Sequence, residues 1–274
     1  MALRAIVSGF ATLDYVMDAS ADIHQTTVPV KIHPAAWPRA GGAALYASAQ
    51  FAALGITASP LVAIGRDPAG DAYRRACQAA GLDEAAIDCS DATRTPLCML
   101  VHQDDGGYRC FLDAGTAPDR LNAAQSATLA AADLICVSAG NPAVTARILD
   151  GLRPGQRLAW IVKADRACFP LDLRARLLAR ADFVFFNKSE RAFIESAPIP
   201  PATLQVETRG TEGVMLWVDG WDTVLPINAI AARDTTGAGD TFAGHMLAQL
   251  LLGAQPEDAA RLAITATAAF LLEK

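Results

Sequence analysis

The sequence predicts a single α/β domain with a mostly parallel central sheet that helices cover on both faces. From residue 134 onward, short apolar runs alternate with segments of helical periodicity, an order typical of parallel strands joined by helices. A continuous apolar run at residues 4–9 predicts a further buried strand. The 274 residues, 52% of them hydrophobic, suffice for one large core. We find no linker that would divide the chain, so residues 1–274 are expected to form one domain.

Glycines and apolar periodicity define the order of the elements. An Ala-rich segment at 43–54 ends at Gly55 and predicts a helix. It is followed by a predicted strand at 60–65 and a predicted helix at 71–80. Later strands are predicted at 134–137, 158–162 and 183–186, and later helices at about 143–152, 170–180, 189–195, 239–252 and 256–272. Residues 213–218 and 221–225 are expected to pair as a hairpin, because Asp219-Gly220 favours a tight turn.

Two separated stretches, at about 15–38 and 94–113, predict a small β-sheet beside the main domain. The first alternates polar and β-branched residues, and the second has Asp104-Asp-Gly-Gly107 as a hairpin turn. Sheets of this kind commonly close over an active site and exclude water, so we expect a lid. Its apolar residues could pair with a second copy of the chain and give a homodimer. They are Val28, Val30 and Ile32.

Composition excludes several classes of partner. The net charge is −6, and no stripe of Lys and Arg marks a nucleic-acid surface. No apolar run is long enough for a membrane span, and Asp14 interrupts the region where a signal peptide would be apolar. The six cysteines form no C-x-x-C pair, so reduced thiols in a cytoplasmic protein are expected.

The most informative segment is Asp234-Thr-Thr-Gly-Ala-Gly-Asp240, which precedes a helical run. Its glycines let backbone amides converge at a helix N-terminus, where they and the helix dipole can bind an anion. A carboxylate beside an anion site makes sense if a hydroxyl loses its proton while a phosphoryl group is transferred to it. The alternative is a plain turn with Asp240 as a helix cap. A dinucleotide fingerprint would need Gly at position 242, where Phe242 stands.

Five segments in this order resemble the signatures of the PfkB (ribokinase) family of carbohydrate kinases and together span nearly the whole chain. They are Gly9-x-x-x-x-Asp14, Gly41-Gly-Ala-Ala-Leu-Tyr-Ala-Ser-Ala-Gln-Phe-Ala-Ala-Leu-Gly55, Asn187-Lys-Ser-Glu190, Thr208-Arg-Gly-Thr-Glu-Gly213 and Asp234-Thr-Thr-Gly-Ala-Gly-Asp-Thr-Phe242. The resemblance implies a ribokinase-like three-layer sandwich with a small β-sheet lid. It also implies transfer of the γ-phosphate of ATP to a hydroxyl of a sugar-like substrate.

The resemblance assigns catalytic and cofactor roles to several positions. Asp240 matches the base that deprotonates the acceptor hydroxyl. The family's anion hole corresponds to the amides of Gly237, Ala238 and Gly239. Mg²⁺ and its waters would be organised by Asn187 and Glu190, and a monovalent cation such as K⁺ by Asp234 and Thr236. The nucleotide would be bound by Thr208, Gly210 and Gly213.

The resemblance also implies an acceptor site. Asp14, Gly41 and Gly42 would hold substrate hydroxyls, with the glycines allowing the backbone to approach the sugar closely. Tyr46 stands where many family members have Asn, which suggests a changed acceptor, although Tyr46 could equally be a core residue at helical spacing. Asp14 could instead cap a turn, and Asn187 and Glu190 could form a capping pair at the start of helix 189–195.

Other functions remain open at the level of sequence. A nucleoside kinase of the same family competes with a sugar kinase, and a non-catalytic sugar- or nucleotide-binding protein on this fold is the rival from another class. A vitamin kinase of the same superfamily fits the Gly41-Gly42 element less well. No Walker A motif is present, and the four histidines show no metal-binding spacing.

Overall fold

Two β-sheets organise the molecule in the computed structural model, which describes residues 2–19, 26–103, 108–195, 197–230, 232 and 234–274. The strands in these ranges are β1 (Arg4–Ser8), β2 (Thr12–Ala19), β3 (Val30–Ile32), β4 (Arg39–Gly41), β5 (Thr57–Gly65), β6 (Ile87–Ser90), β7 (Leu97–Gln103), β8 (Tyr108–Asp113), β9 (Leu134–Val137), β10 (Arg157–Ile161), β11 (Phe183–Asn187), β12 (Leu204–Thr208), β13 (Val214–Val218) and β14 (Trp221–Leu225). The α-helices are α1 (Ala43–Ala53), α2 (Pro68–Ala79), α3 (Ala123–Ala130), α4 (Pro142–Asp150), α5 (Leu171–Arg180), α6 (Arg191–Ile194), α7 (Ala238–Leu251) and α8 (Pro256–Leu272).

The larger sheet is mostly parallel, as predicted. Its order is β14-β13-β12-β11-β10-β9-β1-β5-β6, and the strands from β12 to β6 run parallel to one another. The antiparallel β13–β14 hairpin forms one edge. Its turn has positive φ at Asp219 (49°) and Gly220 (77°), which is the geometry expected of an Asp-Gly hairpin turn.

Apolar layers cover both faces of this sheet. Alternate residues of β10 point to opposite sides: Ala159 and Ile161 join the cluster packed against α1, α7 and α8. Leu158 and Trp160 join the cluster packed against α4 and α5. Strands buried on both faces read as continuous apolar runs rather than alternating ones, which is why their sequence signal is strong. The predicted three-layer arrangement follows from this packing.

The helix α3 and the strands β4, β6 and β12 were not predicted from the sequence. The α3 helix has only eight residues and a modest apolar stripe. It is stabilised at its start by a capping box, in which Asn122 and Gln125 each accept a hydrogen bond from the other's backbone N–H. The β6 strand is a four-residue edge strand with no fully buried residue, so its sequence carries little periodicity.

The smaller sheet contains the two stretches predicted for the lid. Its order is β3-β2-β7-β8, and β4 also pairs with β2. The strand β2 begins at Thr12, three residues before the predicted boundary, and it runs parallel to β7 rather than forming a hairpin with it. The predicted turn at Asp104–Gly107 lies outside the described residues.

Two expectations from composition concern membranes and thiols. In the described part of the chain, no helix has the length and apolarity needed to cross a bilayer. All six cysteines are free thiols.

The contact between α1 and α7 depends on Gly244. A Cβ atom at this position would lie 2.6 Å from both the Cα and the carbonyl oxygen of Ala47. We expect Gly244→Ala to lower the free energy of unfolding, because overpacking against backbone costs about 1–3 kcal/mol while the gain in helix propensity offsets about 1 kcal/mol of it. Urea denaturation measures the difference. A variant more stable than the wild type would show that α1 and α7 are not held this closely.

Candidate active site

The candidate site lies at the carboxyl ends of the parallel strands. The chain leaves β1 toward β5 on one side and later returns through β9 on the other side, and ligands of open α/β sheets bind outside such a switch point. Lys163 follows β10 at this edge, while Asn187 ends β11 and is paired in register with Thr208 at the end of β12. The start of α7 reaches the same edge, because Lys163 contacts Asp240.

The loop before α7 has the geometry of an anion site. Gly237 has φ of 80°, and a Cβ atom there would lie 2.7 Å from the Tyr46 ring, so two constraints require glycine. The N–H of Ala238 donates to the carbonyl of Thr235 (3.1 Å), whereas those of Gly237 and Gly239 donate to no carbonyl of the described residues. A Cβ atom on Gly239 would have no atom within 4 Å. Open space therefore lies beside Gly239, whose amide is one of the two available ones.

Asp240 occupies the first turn of α7 and is 6% exposed. The ammonium group of Lys163 lies 3.0 Å from its Oδ1 atom. This lysine is a candidate functional residue that sequence reasoning missed, because a single lysine after a strand forms no motif. Its position after β10, at the edge where the Asp234–Asp240 segment lies, is the signal that would have found it.

Asn187 and Glu190 form reciprocal hydrogen bonds, as in the capping pair that the sequence offered as an alternative to a metal site. Oδ1 of Asn187 accepts hydrogen bonds from the N–H groups of Ser189 (2.9 Å) and Glu190 (3.0 Å), and Oε2 of Glu190 accepts one from the N–H of Asn187 (2.9 Å). Burial raises the pKa of Glu190, and the charge of Lys163 and the bond from Asn187 only partly oppose this. The carboxylate is thus buried and held in a fixed orientation.

These residues fit a magnesium ion held mainly by phosphate and water. Only one oxygen of Glu190 is used by Asn187, so the other can face a cation or its water. Among the described residues, no group of three or more His, Cys, Asp and Glu side chains could hold a metal by itself. Mg²⁺ commonly keeps several waters and binds through one or two carboxylates plus substrate phosphates.

The segment predicted for the nucleotide forms a turn after β12. Gly210 and Gly213 have φ of 57° and 99°, and a Cβ atom on Gly213 would lie 2.2 Å from the carbonyl oxygen of Leu225. Both glycines therefore shape this turn, next to Thr208. The fully buried Glu207 accepts a hydrogen bond from Arg191 (2.6 Å) and pairs with Arg209, so both arginines are held beside this turn.

Asp14, on the smaller sheet, is 3% exposed. Burial raises its pKa to about 6, although a hydrogen bond from Thr12 and the charge of Arg39 oppose this, and the charge of Asp240 adds to it. A Cβ atom on Gly41 would lie 1.9 Å from Oδ2 of Asp14, and one on Gly42 would lie 2.3 Å from the carbonyl oxygen of Phe10. Close packing within the protein thus accounts for both glycines, and the approach to a substrate that we expected stays a prediction.

Asp234 lies beside two cationic side chains and one histidine. Its Oδ2 atom lies 2.7 Å from Nη1 of Arg39 and 3.5 Å from Nζ of Lys274, and its Oδ1 atom lies 3.8 Å from Nε2 of His102. Burial alone would raise the pKa of Asp234, but hydrogen bonds from Arg39 and Thr236 outweigh it and lower the pKa. Burial and the charge of Arg39 lower the pKa of Lys274 to about 8.

Tyr46 packs beneath the anion loop. Its ring contacts Gly237 and meets the Phe270 ring edge-on at 5.7 Å between centroids. Its hydroxyl is buried and has no hydrogen-bond partner in the described residues. This placement favours the alternative that Tyr46 is a core residue over the alternative that its ring contacts the substrate directly.

The structure thus brings Asp14, Glu190, Asp234 and Asp240 into one cluster of interacting charges, linked by Arg39, Lys163 and Lys274. Thr208, Gly210 and Gly213 occupy the neighbouring turn after β12. A buried carboxylate beside available amides at a helix N-terminus can accept a proton next to a bound phosphate.

Comparison with known proteins identifies the family of the chain. The model for "pfkB family carbohydrate kinase" matches residues 10–274. A nucleoside kinase of Methanothermobacter thermautotrophicus is 28% identical over 255 residues, which cover 85% of this chain and 78% of that protein.

Solved structures share the fold at low identity. An uncharacterised sugar kinase of Pyrococcus horikoshii in complex with ATP has a TM-score of 0.83 at 17% identity, with 98% of this chain and 93% of that chain covered. Arabidopsis thaliana ribokinase complexed with ribose and ATP has a TM-score of 0.78 at 17% identity, with 99% and 93% covered. The predicted ribokinase-like fold is confirmed. Because the family match extends over nearly the whole sequence, the chain belongs to the pfkB family of carbohydrate kinases.

Proposed function

We propose that this kinase transfers the γ-phosphate of ATP to a hydroxyl of a small sugar or sugar-like acceptor, with Asp240 as the catalytic base. The observation that carries the proposal is the placement of the buried Asp240 carboxylate beside the available amides of Gly237 and Gly239. A protein that only bound sugar or nucleotide would gain nothing from a carboxylate next to its phosphate site. For that reason the non-catalytic alternative is disfavoured.

The reaction follows from these groups. Asp240 takes the proton of the acceptor hydroxyl, whose oxygen forms a bond to the γ-phosphorus while the bond from phosphorus to the ADP oxygen breaks. The negative charge on the transferred phosphoryl group is stabilised by the N–H groups of Gly237 and Gly239. Ala238 joins this hole only if its bond to Thr235 opens. Lys163 supplies a positive charge 3.0 Å from Asp240, where it can contact the phosphoryl group in transit.

The nucleotide side of the site would use the ends of β11 and β12. Thr208, Gly210 and Gly213 would lie along the phosphates and ribose of ATP. Asn187 and Glu190 would hold Mg²⁺ and its waters, and Mg²⁺ would neutralise charge on the phosphates. The hydrogen bonds between Asn187 and Glu190 keep that carboxylate oriented without a bound metal.

The acceptor side would use Asp14 and the backbone near Gly41 and Gly42. Buried carboxylates that accept hydrogen bonds from hydroxyls are well suited to sugar recognition. A nucleoside acceptor is the second candidate, favoured by the match to a nucleoside kinase over 85% of the chain. Stacking of a base on Tyr46 has little support, because that ring is packed against Gly237 and Phe270.

The smaller sheet is proposed to act as a lid and as a dimer surface. Asp14 on β2 faces the site from this sheet. On its strands, four large apolar side chains are 43–52% exposed: Val30, Ile32, Met99 and Phe111. Cross-strand pairing places Met99 opposite Phe111, so part of this surface is continuous. An exposed apolar sheet surface of this kind is typical of an interface.

The base role is tested with Asp240→Asn. We expect turnover to fall by about 10²–10⁴-fold with ATP affinity nearly unchanged, because the amide keeps the shape but cannot take the proton. ADP release from Mg-ATP against a panel of sugars, sugar acids and nucleosides measures it. Asp258→Asn is the matched control, since Asp258 is likewise the third residue of its helix but is exposed. Equal turnover in Asp240→Asn and wild type would contradict the proposal.

The burial of Asp14 predicts a pH-dependent stability. Its carboxyl has a pKa of about 6 in the folded chain and 3.8 as the ordinary value, so the folded state binds more protons between these values and loses stability as pH rises through them. This difference corresponds to roughly 3 kcal/mol. We expect the stability of Asp14→Asn relative to wild type to rise by about this amount between pH 3.5 and 7.5.

Urea unfolding at several pH values measures this gain, with the exposed Asp91→Asn as the control. A relative stability of Asp14→Asn that stays constant across this range would mean that the carboxyl is not buried in solution.

The dimer proposal is tested by light scattering after gel filtration. We expect a mass of two chains for the wild type and of one chain for Ile32→Glu, because the new charge cannot be buried unpaired at an apolar interface. A wild type that elutes as a monomer at working concentration removes this proposal.

A further inference from the structure

The oxygens that the family resemblance assigns to a monovalent cation already contact a cation of the protein itself. Lys274, which follows α8, donates a hydrogen bond from Nζ to the backbone carbonyl of Thr236. The same Nζ lies 3.5 Å from Oδ2 of Asp234. An ammonium ion on a flexible stem is a compact positive charge with three donors. It therefore satisfies the same carboxylate and carbonyl oxygens that a K⁺ ion would need.

The surroundings of this ammonium group are those of a built cation site. The Lys274 side chain is 12% exposed, and Nζ lies 4.6 Å from the centroid of the Phe270 ring and 5.7 Å from that of Tyr46. Aromatic faces attract cations at these distances, more strongly when the cation is desolvated. Two oxygens and two rings thus hold one positive charge.

A metal cation does not fit beside these groups. Arg39 places a second positive charge 2.7 Å from Oδ2 of Asp234, so K⁺ at the same carboxylate would face the charges of both Arg39 and Lys274. Like charges at such separations repel strongly away from bulk water. The K⁺ site predicted at Asp234 and Thr236 therefore disagrees with the structure.

We propose that the Lys274 ammonium group takes the place of the monovalent cation at Asp234 and Thr236, so that the enzyme works without K⁺. This inference rests on the proposed phosphoryl transfer only because the first of its two tests measures kinase activity.

Lys274 also acts on the anion loop. The Thr236 carbonyl belongs to the same peptide group as the N–H of Gly237, one of the two available amides of the anion hole. A hydrogen bond accepted by a carbonyl polarises its peptide and strengthens the N–H as a donor. Lys274 is therefore a positioning residue: it fixes and polarises the peptide that meets the phosphoryl group, without touching it.

The alternative is an ordinary ion pair that only fastens the end of α8. In that case Lys274→Met would weaken the fold, and no added ion would replace the lysine. Only the proposed role of Lys274 predicts that a small cation can replace the charge that Lys274→Met removes. This behaviour therefore distinguishes the proposal from an ordinary ion pair.

The test compares wild type, Lys274→Met and Arg261→Met at pH 7 in KCl and in choline chloride at equal ionic strength. Arg261→Met is the matched control, because it too replaces a cationic residue by Met, but at an exposed position of α8 that is paired with Glu257. We expect the rates of wild type and Arg261→Met to agree within twofold between the two salts. In choline chloride Lys274→Met should be at least tenfold slower, and KCl or ammonium chloride should restore most of its rate.

The melting temperatures of the same three proteins without substrate provide a second measurement that does not depend on kinase activity. KCl should raise the melting temperature of Lys274→Met above its value in choline chloride and leave the other two unchanged. A wild type that K⁺ activates severalfold overturns the inference, as does a Lys274→Met variant that K⁺ neither activates nor stabilises. If Lys274→Met does not fold, Lys274→Gln, which keeps a donor to the Thr236 carbonyl, is measured in its place. A wild type without kinase activity but with the expected melting behaviour would reject the proposed function alone.

Discussion

The start of α7 at Gly237 is the constraint on which the site depends. The left-handed conformation of this residue turns the chain so that Gly239 faces open space and Asp240 enters the first helical turn. The Tyr46 ring lies so close to Gly237 that no side chain fits there. Since Tyr46 belongs to α1, and Gly244 lets α1 approach α7, the position of the anion loop is set by helix packing in the core. The geometry of the proposed catalytic site is thus a consequence of how two helices meet.

Charge balance is the second constraint. Four acidic side chains are buried at the site, and burial of an unpaired carboxylate costs several kcal/mol. Arg39 and Lys274 contact Asp234, and Lys163 contacts Asp240. Asp14 and Glu190 are the exceptions, because their neighbours only partly offset burial and their pKa values stay raised. Because the fold leaves the Asp14 carboxyl incompletely paired, this group is available to accept hydrogen bonds from substrate hydroxyls. The group proposed to recognise the substrate therefore lowers the stability of the fold.

The sequence predicted what local patterns encode and missed what the fold brings together. Buried parallel strands and the Asp-Gly hairpin have strong local signals, and the segments around Gly41, Asn187 and Asp234 keep fixed spacings that identify the family. By contrast, Lys163 and Arg39 stand alone in sequence, and only β-strand pairing and sheet order place them beside Asp240 and Asp234. The predicted K⁺ ligands were transferred from the resemblance. Nothing local to Asp234 indicated that the side chain of Lys274 would contact their oxygens.

The roles of Tyr46 and Lys274 can be understood together. Tyr46 stands where many family members have Asn, and it presents an aromatic ring 5.7 Å from the Lys274 ammonium group. An aromatic face attracts a cation without competing for its hydrogen bonds, so Nζ remains free to contact the oxygens of Thr236 and Asp234. An asparagine amide there would offer no such face and would leave a gap beside Gly237. The substitution that first suggested a changed acceptor is therefore better explained by the support of the anion loop and of its internal cation.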